Sequence, residues 1–328
     1  MDVMRVAVIG VGYLGRFHAQ KYARMEGVEL AGVVDADLER ARRVAEEVGC
    51  PAYAHWREIP GRLDAVSVVV PTVHHHAVAS EVLGAGIHCL LEKPMTTTVE
   101  EADDLIRIAA DKGLVLQVGH LERFNPAVRV LEEQVSHPLF IEAHRLSGFK
   151  ARSTDVDVVL DLMIHDLDIV LSLVRAPLEE IRAVGVPVLT PLVDIANVRL
   201  VFASGCTANL TASRISLQDM RRIRVFQPGT YLSADCMERK SLVVHREVTG
   251  GETPSIQPRL TSHEGGDILY DELAHFVETV RTGGTPKVSG RDGRAALELA
   301  TRINALIAEG LKKAKDFGSP VNMPGGTS

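Results

Sequence analysis

The chain has 328 residues, 46% hydrophobic and 24% charged, enough apolar material for a buried core and too much for a disordered or fibrous protein. With 36 Lys+Arg against 43 Asp+Glu the formal net charge is −7, so the basic surplus of a non-specific nucleic-acid binder is missing. Cys50, Cys89, Cys206 and Cys236 are scattered and form no C-x-x-C pair, which argues against a disulfide framework or structural zinc site and for reduced thiols in a cytoplasmic protein.

The N-terminus (MDVMRVAVIG) enters a strand-like run at once, without the basic and long apolar regions of a signal peptide. No apolar run approaches the ~18–20 residues that span a bilayer, so no membrane association is expected. Val6–Ile9 is a short apolar run stopped by Gly10, and Leu14–Met25 follows with helical spacing. Leu30–Val34 is the next strand, ending at Asp35, and Leu38–Val48 is an amphipathic helix. Ala65–Val70 (AVSVVV) is strand-like and bounded by Pro71, and His76–Ala85 is helical. Ile87–Leu91 is a strand closed by Glu92, Lys93 and Pro94. Thr98–Ala110 opens with a capping box, Thr98 and Glu101, and Leu114–Val118 is a strand stopped at Gly119. This alternation predicts parallel βαβ units, with all strand C-termini on one edge and a ligand crevice beside Gly10, Asp35, Pro71, Glu92 and Gly119.

After GHLERFNP the pattern changes to successive strands: Leu139–Leu146, Ile181–Val188, Val198–Phe202, Cys206–Ala212, Arg222–Phe226 and Leu242–Arg246. One helix, Val158–Val174, interrupts them, and two more follow, Ile268–Thr282 and Arg291–Ala308. The fold class is therefore α/β: a Rossmann domain over 1–122, then a second α+β domain over 123–328 with a mainly antiparallel sheet, the last helices able to pack back on the first domain. The tail GSPVNMPGGTS reads as disordered.

Gly10-Val-Gly12-Tyr13-Leu14-Gly15 is G-x-G-x-x-G between a predicted strand and a predicted helix. Gly10 permits the tight turn, Gly12 admits a pyrophosphate to the backbone, and Gly15 lets the helix pack on the strand. The helix N-terminus favours the diphosphate. Asp35, 20 residues past Gly15, is placed to bind the adenosine ribose and repel a 2′-phosphate, which favours NAD over NADP. Arg40, Arg42 and Arg43 on the following helix act in the opposite sense.

GVGYLGRFHAQ, PTVHHHAVASEVLGAGIHCLLEKP and DLMIHDLD, with the late DELAHFVETVRTGGTPKVSGRDGRAALELA, resemble the Gfo/Idh/MocA oxidoreductases over nearly the whole chain. The resemblance implies a C-terminal domain with a large open sheet that often forms oligomer contacts, hence a homodimer or homotetramer. It also implies oxidation of a sugar or cyclitol hydroxyl with NAD or NADP. The chain departs from the usual pattern in two places. Asp155-Val-Asp157-Val-Val stands where many members have a Gly-rich stretch, and Val70-Pro71-Thr72 stands for Thr-Pro-Asn. DVDVVLDLMIHDLD with GHLERFNPAV upstream is most similar to the bacterial members that oxidise the 3-hydroxyl of UDP-N-acetylglucosamine. That similarity implies a nucleotide-sugar substrate and a partner aminotransferase that converts the keto product on the way to lipid A. A free sugar or inositol dehydrogenase of the same family is the second expectation. A non-enzymatic sensor of NAD or sugar is the third.

Oxidising an alcohol needs a base for the hydroxyl proton. His165, an imidazole, suits that role, with Asp161 at i−4 to orient it and Asp168 at i+3 on the same helix face. Lys93, matched to the family's Glu-Lys-Pro triplet, can stabilise the developing alkoxide, and the roles of Lys93 and His165 are exchangeable. Pro71, His75 and Glu92 are expected against the cofactor with Gly10, Gly12, Tyr13, Leu14, Gly15 and Asp35. The run His74-His75-His76 is not read as a metal site, because adjacent side chains diverge and nothing completes a ligand set. Arg123 and Asn125 are candidates for sugar or phosphate contacts, or else a plain helix-starting turn before Pro126. Arg145, Lys150 and Arg152 are candidates for the diphosphate, and Ile223–Phe226 reads as strand core.

Overall fold

The fold is that of a computed structural model, in which residues 3–149, 156–247 and 255–316 are described. The first elements are β1 (Met4–Ile9), α1 (Tyr13–Tyr22), β2 (Val28–Val34), α2 (Leu38–Val48), β3 (Ala52–Tyr53), β4 (Ala65–Val68), α3 (His75–Gly84), β5 (His88–Glu92), α4 (Val99–Asp111) and β6 (Leu116–Gly119). Then come α5 (Pro126–Gln134), β7 (Phe140–Leu146), a π-helical turn (Val159–Met163) running into α6 (Ile164–Leu173), β8 (Leu178–Val186), β9 (Ile195–Phe202), β10 (Thr207–Ser213), β11 (Met220–Gln227), β12 (Thr230–Asp235), β13 (Lys240–Glu247) and β14 (Ser255–Ser262). Helices α7 (Ile268–Thr282) and α8 (Gly290–Asp316) end the described chain. Two compact units result: one runs to Phe124 and takes up Gly266–Leu297, the other runs from Asn125 to Gly265 and resumes at Glu298.

The first unit is built on a six-stranded sheet of order β3-β2-β1-β4-β5-β6, parallel at every pairing. The strand order reverses between β1 and β4, the switch point at which such sheets open a crevice. Apolar strands explain the parallel pairing: Val6, Ala7, Val8, Val66, Leu90 and Leu91 are fully buried, as a sheet covered on both faces requires. Local signals set the helix ends. Asp37 caps α2 by accepting the Arg40 N–H at 3.1 Å, and Gly49 closes it with φ 73°. The predicted capping box of α4 is present, Thr98 with Glu101. Helix α7 packs on α1 around Tyr22, Leu273 and Phe276, although more than 240 residues of sequence lie between them.

The second unit carries an eight-stranded sheet of order β14-β13-β12-β11-β7-β10-β9-β8. All pairs are antiparallel except β7 with β10, because the chain leaves β7 through α6 before returning. Residues of β7 alternate: Ile141, Ala143 and Arg145 are buried, while Phe140, Glu142, His144 and Leu146 are only partly covered. Helices α5 and α6 cover the buried face. On the other face Phe140, Phe226 and Tyr231 stack in a row, with ring centroids 5.6 and 5.0 Å apart, and Glu142 pairs with Arg224. Phe226 therefore belongs to this open face, whereas Ile223 and Val225 are core as expected.

Candidate active site

The glycine loop behaves as its spacing predicts. Gly10 has φ +88°, and a Cβ there would lie 2.5 Å from the Val69 carbonyl oxygen. A Cβ on Gly15 would overlap the Gly10 carbonyl, so this glycine sets how closely α1 approaches β1. A Cβ on Gly12 would meet no protein atom within 4 Å. Gly12 is the N-cap residue of α1 and no side chain caps the helix there, which leaves a helix N-terminus facing open space where a diphosphate fits. Beside it lies a cavity of about 400 Å³ lined by Val11, Gly12, Tyr13, Arg16, Arg40 and Arg43 among others. Tyr13 is exposed, edge-on to Phe17 at 5.3 Å, and Leu14 is half-buried.

Asp35 is buried at the end of β2 and ties this loop together. Its carboxylate accepts the Val11 N–H at 3.0 Å and the Asp37 N–H at 2.9 Å, and Arg40 Nη1 lies 3.3 Å away. An anion fixed at the glycine loop suits a ribose diol, and Arg40 stands beside it. The glycines, the helix end and Asp35 together fit a dinucleotide.

Next along the strand ends, Pro71 is exposed at the start of a 3-10 turn, Thr72–His74. His75 is buried, with Nδ1 2.9 Å from the Pro94 carbonyl and Nε2 2.8 Å from the Val70 carbonyl. It therefore clamps the loop after β4 to the Glu92-Lys93-Pro94 turn after β5. Burial holds its imidazole below the usual histidine range, although the two carbonyls and Glu92 act in the other direction. His76 pairs with Asp104 at 2.9 Å on the surface. Glu92 is buried, and its Oε2 accepts the Lys93 N–H at 3.1 Å. Its Oε1 lies 3.3 Å from His18 Nε2 on α1. A Cβ on Gly119 would stand 2.8 Å from Glu92 Oε1, so the glycine ending β6 makes room for this carboxylate. Lys93 itself is half-buried. Arg123, in the 3-10 turn Leu121–Phe124, is buried.

The second unit holds His165 on α6. Asp157, from the stretch that replaces the family's glycines, starts this helix: Oδ1 accepts the N–H groups of Val159 at 2.9 Å and Leu160 at 3.1 Å. Its Oδ2 accepts from Asn304 on α8 at 3.0 Å. The first turn is π-helical, which the sequence did not reveal, and Asp161 sits in it one widened turn before His165. Asp161 and His165 are half-buried and Asp168 is buried.

One expectation changes here. Arg145 is not available to a diphosphate: it is buried on β7 and paired side-on with Asp166, at 2.9 Å and 2.8 Å. Asn125 is the helix-starting residue, its Oδ1 accepting the Ala127 N–H at 3.1 Å and its Nδ2 donating to the Cys236 carbonyl at 2.9 Å. Lys150 and Arg152 lie outside the described residues, as does the tail.

Sequence reasoning missed several buried polar groups of the first unit. His18 and Tyr22 on α1, Ser67 on β4, Gln117 on β6 and Glu272 on α7 are all fully buried. The signal for Glu272 is its place on the apolar stripe Leu269, Glu272, Leu273, Phe276 of α7, where a carboxyl has no business without a reason. Among the described residues no group of three or more His, Cys, Asp or Glu is placed to hold a metal, and no helix is long and apolar enough to cross a membrane.

The fold and the glycine loop define an NAD-binding oxidoreductase, and comparison with known proteins agrees. The model of the oxidoreductase family with NAD-binding Rossmann fold matches residues 4–120, and that of the GFO/IDH/MocA C-terminal domain matches residues 131–228. The chain belongs to the Gfo/Idh/MocA family. It is 40% identical to the UDP-N-acetylglucosamine 3-dehydrogenase of Acidithiobacillus ferrooxidans, over 94% of this chain and 99% of that one. The solved structure of that enzyme superposes with a TM-score of 0.88, again over 94% and 99% of the two chains. The scyllo-inositol 2-dehydrogenase (NAD(+)) of Bacillus subtilis is 28% identical over 94% of this chain and 95% of its own. A levoglucosan dehydrogenase solved with NADH and levoglucosan, 18% identical, shares the fold, with a TM-score of 0.84 over 93% and 97% of the chains.

Proposed function

We propose that this protein oxidises the 3-hydroxyl of UDP-N-acetylglucosamine to the 3-keto nucleotide sugar, with NAD as acceptor. The observation that supports this most is the near-full-length likeness to the Acidithiobacillus enzyme, at 40% identity against 28% for the inositol dehydrogenase of Bacillus subtilis. Bound NAD supplies a hydride acceptor. His165 takes the hydroxyl proton, Asp161 orients its ring, and the Lys93 ammonium stabilises the oxygen as charge builds on it. Arg123, Arg152 and Asp168 are the proposed contacts to the nucleotide sugar. Asp35 selects NAD over NADP.

The product carries a new ketone, and a ketone on a sugar is the substrate of an aminotransferase, the expected next step toward a diamino sugar for lipid A. The protein works in the cytoplasm, where NAD and nucleotide sugars are found. The aromatic row on the open sheet face, Phe140, Phe226 and Tyr231, supports a homodimer or homotetramer through that face.

The deciding experiment follows reduced nicotinamide by absorbance with NAD and a panel of UDP-N-acetylglucosamine, UDP-glucose, glucose and inositol. Turnover of UDP-N-acetylglucosamine with formation of the 3-keto product is expected. Preferred turnover of inositol or a free sugar overturns the substrate assignment, and binding without turnover of any of them makes the protein a sensor.

A further inference from the structure

Two buried carboxyls from distant parts of the sequence, Glu92 and Glu272, interact inside the first unit. Glu92 has partners: the Lys93 N–H at 3.1 Å on one oxygen and His18 Nε2 at 3.3 Å from the other. Glu272 on α7 is fully buried, and among the described residues neither of its carboxyl oxygens has a hydrogen-bond partner. Its carboxyl interacts electrostatically with Glu92 on β5 and with Tyr22 on α1. Tyr22 donates to or accepts from Ser67 at 2.9 Å, and Gln117 Nε2 reaches only the Glu272 backbone carbonyl at 3.3 Å. His120, just past β6, is fully buried and feels the charges of Lys93, Glu92, Arg123 and Asp292.

An ionised carboxylate buried without partners is strongly disfavoured, and a second anion beside it more so. We propose that Glu272 is a positioning residue, held as the neutral acid against ionised Glu92, so that exactly one buried negative charge stands at the Glu92–Lys93 step. The two carboxyls then carry one proton between them, and that proton sets the charge felt at the strand end that bears Lys93. The environments push the two groups apart in the required directions. Burial and the Glu92 charge raise Glu272 well above the carboxylate range. Burial acts against ionisation of Glu92 too, but His18 and the Lys93 N–H outweigh it and hold Glu92 below that range.

The test needs no sugar substrate, so it stands apart from the reading of the substrate. Infrared spectra of the whole protein at neutral pH should show a protonated-carboxyl C=O band that is missing in Glu272→Gln. NAD and NADH affinities are then measured through pH. In the wild type the preference for the cationic NAD ring over NADH should rise by roughly threefold or more as that band disappears, because a second anion has formed. In Glu272→Gln the preference should stay flat, which a merely structural role would not produce. Absence of a band assignable to Glu272, or the same pH dependence in both proteins, overturns the proposal. Should Glu272→Gln fail to fold, Glu92→Gln decides: with its charge removed the band should vanish at a lower pH, and no movement overturns the proposal.

Discussion

Arg145 and Asp166 meet side-on inside the second unit, Nε to Oδ2 at 2.9 Å and Nη2 to Oδ1 at 2.8 Å, on the residue next to His165. The pair ties α6 to β7 and fixes the rotation of the helix that carries His165. Breaking it from one side leaves a buried charge. Arg145→Met should destabilise the protein by about 3–5 kcal/mol, and the double variant Arg145→Met with Asp166→Leu should recover most of that loss. Denaturant midpoints of the three proteins check this; equal stability of the single variant and wild type contradicts it.

Lys93→Ala and His165→Ala should each lower kcat by ~10²-fold or more while NAD still binds. Steady-state kinetics together with NADH fluorescence separate the two effects. Near-wild-type turnover in both variants removes the catalytic assignment.

Asp35 binds the glycine loop through the Val11 N–H and stands 3.3 Å from Arg40. Asp35→Ser removes the repulsion of a 2′-phosphate and leaves Arg40 to meet it. The ratio of kcat/KM for NAD over NADP should fall by about tenfold or more. An unchanged ratio places the selectivity elsewhere.

Gly12 and Gly15 separate binding from folding. A Cβ at position 12 meets nothing in the protein, at a φ of −67° that alanine adopts freely. Gly12→Ala should melt like the wild type and lose NAD affinity. A Cβ at position 15 collides with backbone, so Gly15→Ala should lower Tm by several degrees or prevent folding. Thermal unfolding with and without NAD reads both.

Burial, helped by the charge of Lys93, pushes the His120 imidazole down to about 3 from its usual 6.5. The folded protein keeps this ring neutral while the unfolded chain takes up a proton below pH 6.5. Its contribution to stability is therefore present above pH 6.5 and is lost as pH falls toward 3, by up to about 1.4 kcal/mol per pH unit. His120→Asn should flatten the acid limb of a plot of denaturant midpoint against pH; an unaltered limb assigns it to other groups.

What could be read from the chain was local or periodic. The glycine spacing, the capping box at Thr98, the helices Leu38–Val48 and Ile268–Thr282 and the buried parallel strands all follow from a few neighbouring residues. Strands β12 and β14 were missed because TYLSAD and SIQPRLTS lack a run of apolar residues, and Pro258 argues against a strand except at a sheet edge, where β14 lies. Arg145 was misread because its partner lies 21 residues on and across an element. Glu272 was missed because the carboxyl it faces lies far off in sequence, at Glu92. Contacts of that kind come from topology, and the pattern along the chain does not carry them.

His75 has two carbonyl oxygens at hydrogen-bond distance, on Val70 and on Pro94. A neutral imidazole owns a single ring hydrogen, so only one of the two carbonyls can accept it at a time, and the other oxygen faces a lone pair. Two loops from neighbouring strands thus compete for one hydrogen.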